Sequence, residues 1–579
     1  MRILSMGTID RPEHPQPQFI RTDWMNLNGV WQFEIDPGRS GKAKGYMQEN
    51  RALADTIRVP FCPESKLSGV GYKDFMPAVW YKKSFALTAE QMQGNIVNLR
   101  IGACDYQTEV WINGAFAGRH KGGYSSFAFD ITRLLRPGEN TVAIYAEDDT
   151  RDPMIPSGKQ SQEYHSFGCC YTRTTGLWQT VWLEFAPDDA RIESVRFYPD
   201  VRQGTVTLAA QFAGTGDFTA EILYNGKPAG GISCPACAGR RLFTVPLQDI
   251  HLWEPGHGRL YDIVMRFGRD EVHSYFGLRE VSLRGRKFLL NGKSVFQRLV
   301  LDQGFYPDGI YTAPDDASLI RDIEISMQAG FNGARLHEKV FEPRFLYHCD
   351  RMGYLVWGEY PNWGLDHSRK EAIYSILPEW TEIIERDFNH PAIIGWCPFN
   401  ETWDCGTPLS RQQDDLIRMV YRQTKAMDPT RPCIDTSGVS HVETDIHDVH
   451  DYDQNPQTFA ARYAAIGETG KFEEPHYADR QKYDGAKPVF ISEYGGTGLS
   501  LEEGSWSYGS AAKNRAEFNE RYRGLTRALL DNPEICGLCY TQLYDVEQEQ
   551  NGLYTYDRKP KTDIAEIYKI NTQKAAIEE

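Results

Sequence analysis

The chain contains no run of about 18 apolar residues, which excludes a membrane-spanning helix on sequence grounds. Its opening, Met1-Arg2-Ile3-Leu4-Ser5-Met6-Gly7, lacks the apolar stretch of a secretory signal, so the expected location is cytoplasmic. Cysteine is sparse. There are 12 in 579 residues, and several (Cys397, Cys536, Cys539) sit inside apolar runs, as reduced core thiols do; no disulfide framework is expected. Cys234-Pro235-Ala236-Cys237 and Cys536-Gly537-Leu538-Cys539 each have the spacing of a zinc half-site. They lie far apart, the second within a strand-like segment, so no metal is expected. An excess of positive charge is missing too: the formal net charge of −16 means that nucleic-acid backbones and anionic membranes on balance repel the chain, although a local basic pocket stays open.

What is present is enough chain for three or four domains. To about residue 186 it reads as strands. Gly29–Ile35, Thr108–Ile112 and Thr141–Tyr145 alternate or run apolar beside turn residues such as Asn113-Gly114 and Pro137-Gly138, which points to a β-sandwich. From 187 to 280 further short strand patterns, such as Val206–Ala210 and Thr219–Leu223, suit one immunoglobulin-like sandwich. After Asn291-Gly292 the period changes. Leu319, Ile320, Ile323 and Met327 share a helix face opened by Pro314-Asp315-Asp316 and ended by Gly330, and Phe331–His337 follows as a strand. Helix and strand then alternate: Phe345–Met352 before Tyr354–Glu359, and a face of Trp380, Ile383, Ile384 and Phe388 before Ala392–Trp396. Three more strands are expected at Pro432–Thr436, Pro488–Ser492 and Ile535–Thr541. Repeated helix and strand over residues 281–579 is the pattern of a (β/α)8 barrel.

Two glutamates stand where apolar strands run out: Glu401 in Trp396-Cys397-Pro398-Phe399-Asn400-Glu401, and Glu493 in Phe490-Ile491-Ser492-Glu493-Tyr494-Gly495-Gly496. In a parallel barrel that rim carries the chemistry. A single such acid is as readily a cap or a salt-bridge partner. Two, with Glu359 and Arg335 on neighbouring strand ends, suit hydrolysis of a glycoside, in which one carboxyl protonates the leaving oxygen while the other attacks or activates water. Asn400 could hold a sugar hydroxyl. Trp357, Trp363, Trp396, Trp403 and Tyr540 offer flat faces to a sugar, though some must be core; Tyr494 suits either packing or the site.

On Leu27–Phe33, Val110–Gly114, Thr175–Glu184, Phe276–Glu280, Phe288–Lys293 and the two glutamate peptides, in that order, the chain resembles glycoside hydrolase family 2, the β-galactosidases, β-glucuronidases and β-mannosidases. The resemblance implies a jelly-roll first domain (1–186), the immunoglobulin-like domain (187–280) and the TIM barrel (281–579). It implies retention through a covalent glycosyl-enzyme, without an organic cofactor. Glu401 would be the general acid/base and Glu493 the nucleophile, with carboxyls about 5–5.5 Å apart and Arg335 supporting Glu493. Glu401 would have to start protonated, its pKa raised by the neighbouring carboxylate.

The chain also departs from that family. One residue rather than two separates Arg335 from His337, which makes His337 a weak site candidate, with a core or supporting role equally open. Near the end, Gly552–Lys561 resembles the closing segment of β-glucuronidases, but the Asn-x-Lys pair that binds a uronate there is replaced by Gln548-Glu549-Gln550-Asn551. A glutamate repels a uronate in a desolvated pocket. The expectation is therefore a neutral sugar and a β-galactosidase, with Gln542, Asp545, Glu547, Gln548 and Glu549 offering polar contacts or forming a solvated loop. The alternatives are a β-glucuronidase, β-mannosidase or α-L-arabinosidase, or a non-catalytic carbohydrate-binding protein. The expected partner is a glycoside or oligosaccharide, with homo-oligomers open. Gly122–Phe127 could project toward the pocket or form a hairpin with an aromatic anchor.

Overall fold

The computed structural model describes residues 9–403, 411–499 and 502–578; the opening Met1–Gly7 lies outside them. The first third is a sandwich of two antiparallel sheets. One has six strands, in spatial order Asp55–Val59, Gly29–Ile35, Ala78–Leu87, Gly138–Glu147, Gln107–Ile112 and Ala115–Lys121; the other has four, Trp24–Asn26, Val181–Pro187, Asn95–Ile101 and Phe127–Asp130. Alternation turns Trp31 and Phe33 inward against Ile57, Tyr81, Val97 and Leu99, all of them buried. Asn113 and Gly114, both at positive φ, make the tight turn that the sequence suggests.

The next sheet system begins at Arg191. Its long strands Thr205–Tyr224 and Lys227–Pro246 pair along almost their whole length, with the register shifting between Phe212 and Thr215. Arg191–Asp200 pairs with the first half of Thr205–Tyr224 and Tyr261–Phe267 with the second, so one bent hairpin serves both layers around Phe212, Phe218, Ile263 and Phe267. Cys234 and Cys237 lie on one of these strands, where residues three apart point to opposite faces and cannot close on one ion.

The last domain is the α/β barrel. Among the described residues its laddered parallel strands are β1 (Gln297–Asp302), β2 (Gly333–Leu336), β3 (Leu355–Glu359), β4 (Ile393–Cys397), β5 (His447–Asp451), β6 (Val489–Gly495) and β7 (Ile535–Thr541), in the order β4-β3-β2-β1-β7-β6-β5. Between β4 and β5, where a strand was expected at Pro432–Thr436, the chain makes only isolated parallel bridges, Trp396 to Cys433 and Asn400 to Ser437. The ring is filled there by an irregular segment. The helices fall as the apolar spacing requires, at Asp316–Gln328, Pro343–Met352 and Ile373–Asp387; Asp315 caps the first, and Gly353, at φ 70, ends the second. The end of the chain returns to the base of β1, where the buried Arg298 guanidinium donates to the Asn571 and Gln573 carbonyls and pairs with Glu578.

Buried polar groups join the domains. Arg21 donates to Asp270 of the second sandwich at 2.8 and 2.9 Å and to Glu184 of the first at 3.0 Å. Asp350 of the barrel accepts from Tyr275 Oη at 2.8 Å and from the Ala392 amide. A guanidinium shared between two buried carboxylates is costly to remove, because the acids keep their desolvation penalty and lose their partner. Arg21→Met is therefore expected to destabilise the chain by about 3–5 kcal/mol, measured by denaturant unfolding followed through the sandwich tryptophans; a loss below about 1 kcal/mol would show that the junction does not depend on this pairing.

Candidate active site

Because the barrel strands are parallel, their C-terminal ends share one rim, and the polar residues gather there. Arg335 on β2 is buried at the centre. Its Nε donates to Glu359 on β3, Nη1 to Glu493 Oε1 on β6 at 3.1 Å and to the Ser492 carbonyl at 2.9 Å, and Nη2 to Asn400 Oδ1 at 3.0 Å. One guanidinium thus sets the positions of the residues that follow three other strands. His337 Nδ1 lies 3.1 Å from Glu359 and 3.9 Å from Glu493, and burial holds its pKa well below the ordinary imidazole value, so a neutral ring faces the pair.

Glu401 and Glu493 are brought together. A carboxylate oxygen of each and a ring nitrogen of His450 all lie within 4.8 Å of one another. That is the close spacing of a retaining pair, which leaves no room for the intervening water of an inverting one. Three such donors could hold a metal in principle, but here Glu401 Oε1 is already bonded to His450 Nδ1 at 2.6 Å, and the Glu493 oxygens are met by Arg335 and Tyr452. Glu401 sits at φ 45, a conformation that is uncommon for a side chain of this kind. Its backbone is held there by donation to the Ser437 carbonyl, and its second carboxylate oxygen accepts from the Trp403 indole at 3.1 Å.

His450, at the end of β5, was not singled out from the sequence, and it changes the electrostatics. Burial alone would push the Glu401 carboxyl up, as expected for an acid, but the hydrogen bond and charge of His450 outweigh it and pull the carboxyl below its ordinary 4.5. Burial likewise opposes protonation of His450, yet the charge of Glu493 and the bond to Glu401 raise it above 6.5 despite Arg335. These directions favour an imidazolium beside an ionised Glu401 in the free site, whereas the resemblance places the proton on Glu401 itself. The imidazole fits only because residue 438 is glycine, at φ 79: a Cβ there would lie 2.2 Å from His450 Cγ.

The other expected residues divide. Asn400 donates its amide to Asn362, and its Nδ2 is buried without a partner, a free donor at the rim. Trp363 and Trp403 flank Glu401 in a cavity of about 490 Å³ that Gln160 and Cys170 of the first domain also line. Gln542, after β7, accepts from Gln303 while its own Nε2 is unpartnered. Tyr494 is not brought in. Alternation on β6 turns it outward from Glu493, and its hydroxyl meets Thr526 while its ring packs against Tyr540. Glu547 accepts from the Thr172 amide and Gln548 donates to the Gly168 and Cys170 carbonyls, so this loop clasps the first domain; Asp545 is paired with Lys561. Trp357, Trp396 and Tyr540 are core. Gly122–Phe127 docks on a barrel helix, the Tyr124 amide donating to Glu379 at 2.7 Å. The first-domain segment that does reach the pocket is residues 155–173, where the Ser157 and Gly158 amides donate to the Trp363 carbonyl.

The ion pair makes stability depend on pH in both directions. Its contribution is complete between the ordinary values of 4.5 and 6.5, is lost as pH rises through the raised His450 pKa, and is lost as pH falls through the lowered Glu401 pKa. Since the shared proton leaves from the imidazole, His450→Asn is expected to move the basic limb of the kcat/KM profile to lower pH. An unmoved limb would remove His450 from the proton inventory of the acid.

A family model described as "Glycosyl hydrolases family 2, TIM barrel domain" matches residues 281–522, and "Glycosyl hydrolases family 2, sugar binding domain" matches 24–150. A β-glucuronidase of Paenibacillus borealis is 26% identical over 452 residues, covering 70% of this chain and 72% of that one. A β-galactosidase of Thermoanaerobacter pseudethanolicus is 27% identical over 395 residues, but the match spans 49% of its length. The structure of a Bifidobacterium dentium β-glucuronidase complexed with coumarin-3-O-glucuronide shares the fold, with a TM-score of 0.80 over 97% of this chain and 98% of that one at 20% identity. Both domain models match in order along one chain, and the chain belongs to glycoside hydrolase family 2.

Proposed function

We propose that the protein is a retaining exo-β-glycosidase acting on β-D-glucuronides. The observation that carries the retaining reaction is the approach of Glu401 and Glu493 within 4.8 Å at the rim. Glu493, aligned by Arg335 and Tyr452, attacks the anomeric carbon; Glu401, taking the proton held by His450, protonates the departing oxygen. In the second half-reaction Glu401 returns as base to a water that displaces Glu493. The orphan Nδ2 of Asn400 is placed to bond a sugar hydroxyl, a contact that accelerates the reaction if it tightens as the cation-like transition state forms.

The preference for a glucuronide is supported by the P. borealis relative, matched over more of its own length than the β-galactosidase is. The sequence-based leaning toward a neutral sugar rested on Glu549. In the structure the Glu549 oxygens accept from Tyr171 Oη and Asn551 Nδ2, so its charge is already met by donors and the repulsion argument loses force. A purely carbohydrate-binding protein would leave the Glu401–His450–Glu493 cluster without a purpose.

On a panel of 4-nitrophenyl glycosides the highest kcat/KM is expected for the β-D-glucuronide, and a preference for the β-D-galactoside would return the reading to a galactosidase. Glu493→Ala should lower kcat by on the order of 10⁴ or more with the fold intact; near-native turnover would remove it as nucleophile. Glu401→Gln should cost about 10²–10⁴ on poor leaving groups and far less on 4-nitrophenol, whereas an equal loss on both would count against its acid role.

A further inference from the structure

The first sandwich places a buried lysine against Trp363, a wall of the pocket around Glu401. Lys159 is 3% exposed, and its ammonium forms neither a hydrogen bond nor an ion pair with any described residue. It lies over Trp363, whose ring centroid is 3.9 Å from Nζ and whose indole donates to the Asn400 carbonyl, next to Glu401. A buried cation without a counter-ion is costly, and one indole face recovers only part of that cost.

The segment around it is fixed. The Lys159 carbonyl accepts from Tyr171, Gln160 is bonded to Asp105 and Tyr124, and a Cβ on Gly158 would meet the Glu338 carbonyl at 2.3 Å. The ammonium is within electrostatic reach of Glu493, Glu401 and Glu549 without touching any of them. Tyr508 has the same three acids in reach, and it stacks at 3.7 Å on Tyr452, the residue that bonds the nucleophile. Lys159 and Tyr508 therefore border the volume that holds the sugar attacked by Glu493. Burial alone would push the lysine pKa down, but Cys169, Glu549, Cys170 and Glu493 outweigh it and keep the group charged.

We infer that Lys159 receives the carboxylate of a hexuronic acid bound for cleavage, so that a residue of the first domain selects the substrate class. This rests on the proposed glucuronide reading and goes further by naming the selecting residue. The chemistry favours a carboxylate over a phosphate. One ammonium offers one charge and three donors, which suits a monoanion, while phosphate recognition usually gathers several cations or backbone amides. The segment 545–551 contains no lysine or arginine, and Lys561 beside it is committed to Asp545.

The test compares wild type with Lys159→Met and Lys159→Arg on 4-nitrophenyl β-D-glucuronide, β-D-glucoside and β-D-glucoside 6-phosphate. The wild-type panel alone reads the glucuronide assignment. The inference is read from the ratio of glucuronide to glucoside kcat/KM, which Lys159→Met should lower by about 100-fold or more and Lys159→Arg should partly preserve. Inhibition by free D-glucuronate should weaken in parallel, and calorimetric binding of D-glucuronate gives the same comparison if turnover is lost. A ratio unchanged in Lys159→Met, or equal losses on both sugars, would make the lysine a structural charge and overturn the proposal. So would wild-type activity on the 6-phosphate that matches or exceeds that on the glucuronide.

Discussion

The site depends on one buried guanidinium. Arg335 is withdrawn from water, and a charge in that position is tolerable only if carboxylates and carbonyls surround it at hydrogen-bond distance. Glu359 of β3, Asn400 after β4, and Glu493 with the Ser492 carbonyl of β6 meet that demand from three strand ends. The requirement works in both directions. The arginine needs those partners, and by needing them it fixes the register of β2, β3, β4 and β6 at the rim, so the electrostatic constraint and the catalytic alignment are one arrangement.

A second pairing is superimposed on the first. His450 touches Glu401 through one ring nitrogen and lies 3.4 Å from Glu493 through the other, so the two acids communicate through an imidazole as well as through space. This suits a reaction in which one carboxyl must hold a proton while the other must not, and in which that assignment reverses midway. An ion pair at rest keeps the proton stored inside the site, to be handed over when substrate displaces the local balance of charge.

Much of this was legible in the chain. Apolar strands ending in Glu359, Asn400-Glu401 and Glu493 gave their own positions, because a buried parallel strand reads as a continuous hydrophobic run. His447–Asp451 did not, since four of its five residues are polar or ionisable although all five are buried; periodicity cannot distinguish such a strand from a loop. The same limit applied to Lys159, which lies in a polar stretch whose docking depends on contacts more than a hundred residues away in sequence. Tyr494, open to either packing or the site on composition, is decided by alternation: a strand places neighbours on opposite faces, so an inward Glu493 requires an outward Tyr494. The expected strand at Pro432–Thr436 has the right composition, but its neighbour β5 offers side chains rather than a backbone ladder, with Ser437 bonded to Asp448 and His450.

The closure of the barrel has a bearing on how the protein comes into being. β1 is held on one side by β7, near the end of the chain, and its base is clamped by Glu578 through Arg298. During synthesis both sandwiches can be complete while β1 still lacks one edge partner, and that edge stays open until β7 has been made. The pocket wall carried by residues 155–173 is therefore made long before the strands it will cover, and the first domain stands ready as a template on which the nascent ring can settle.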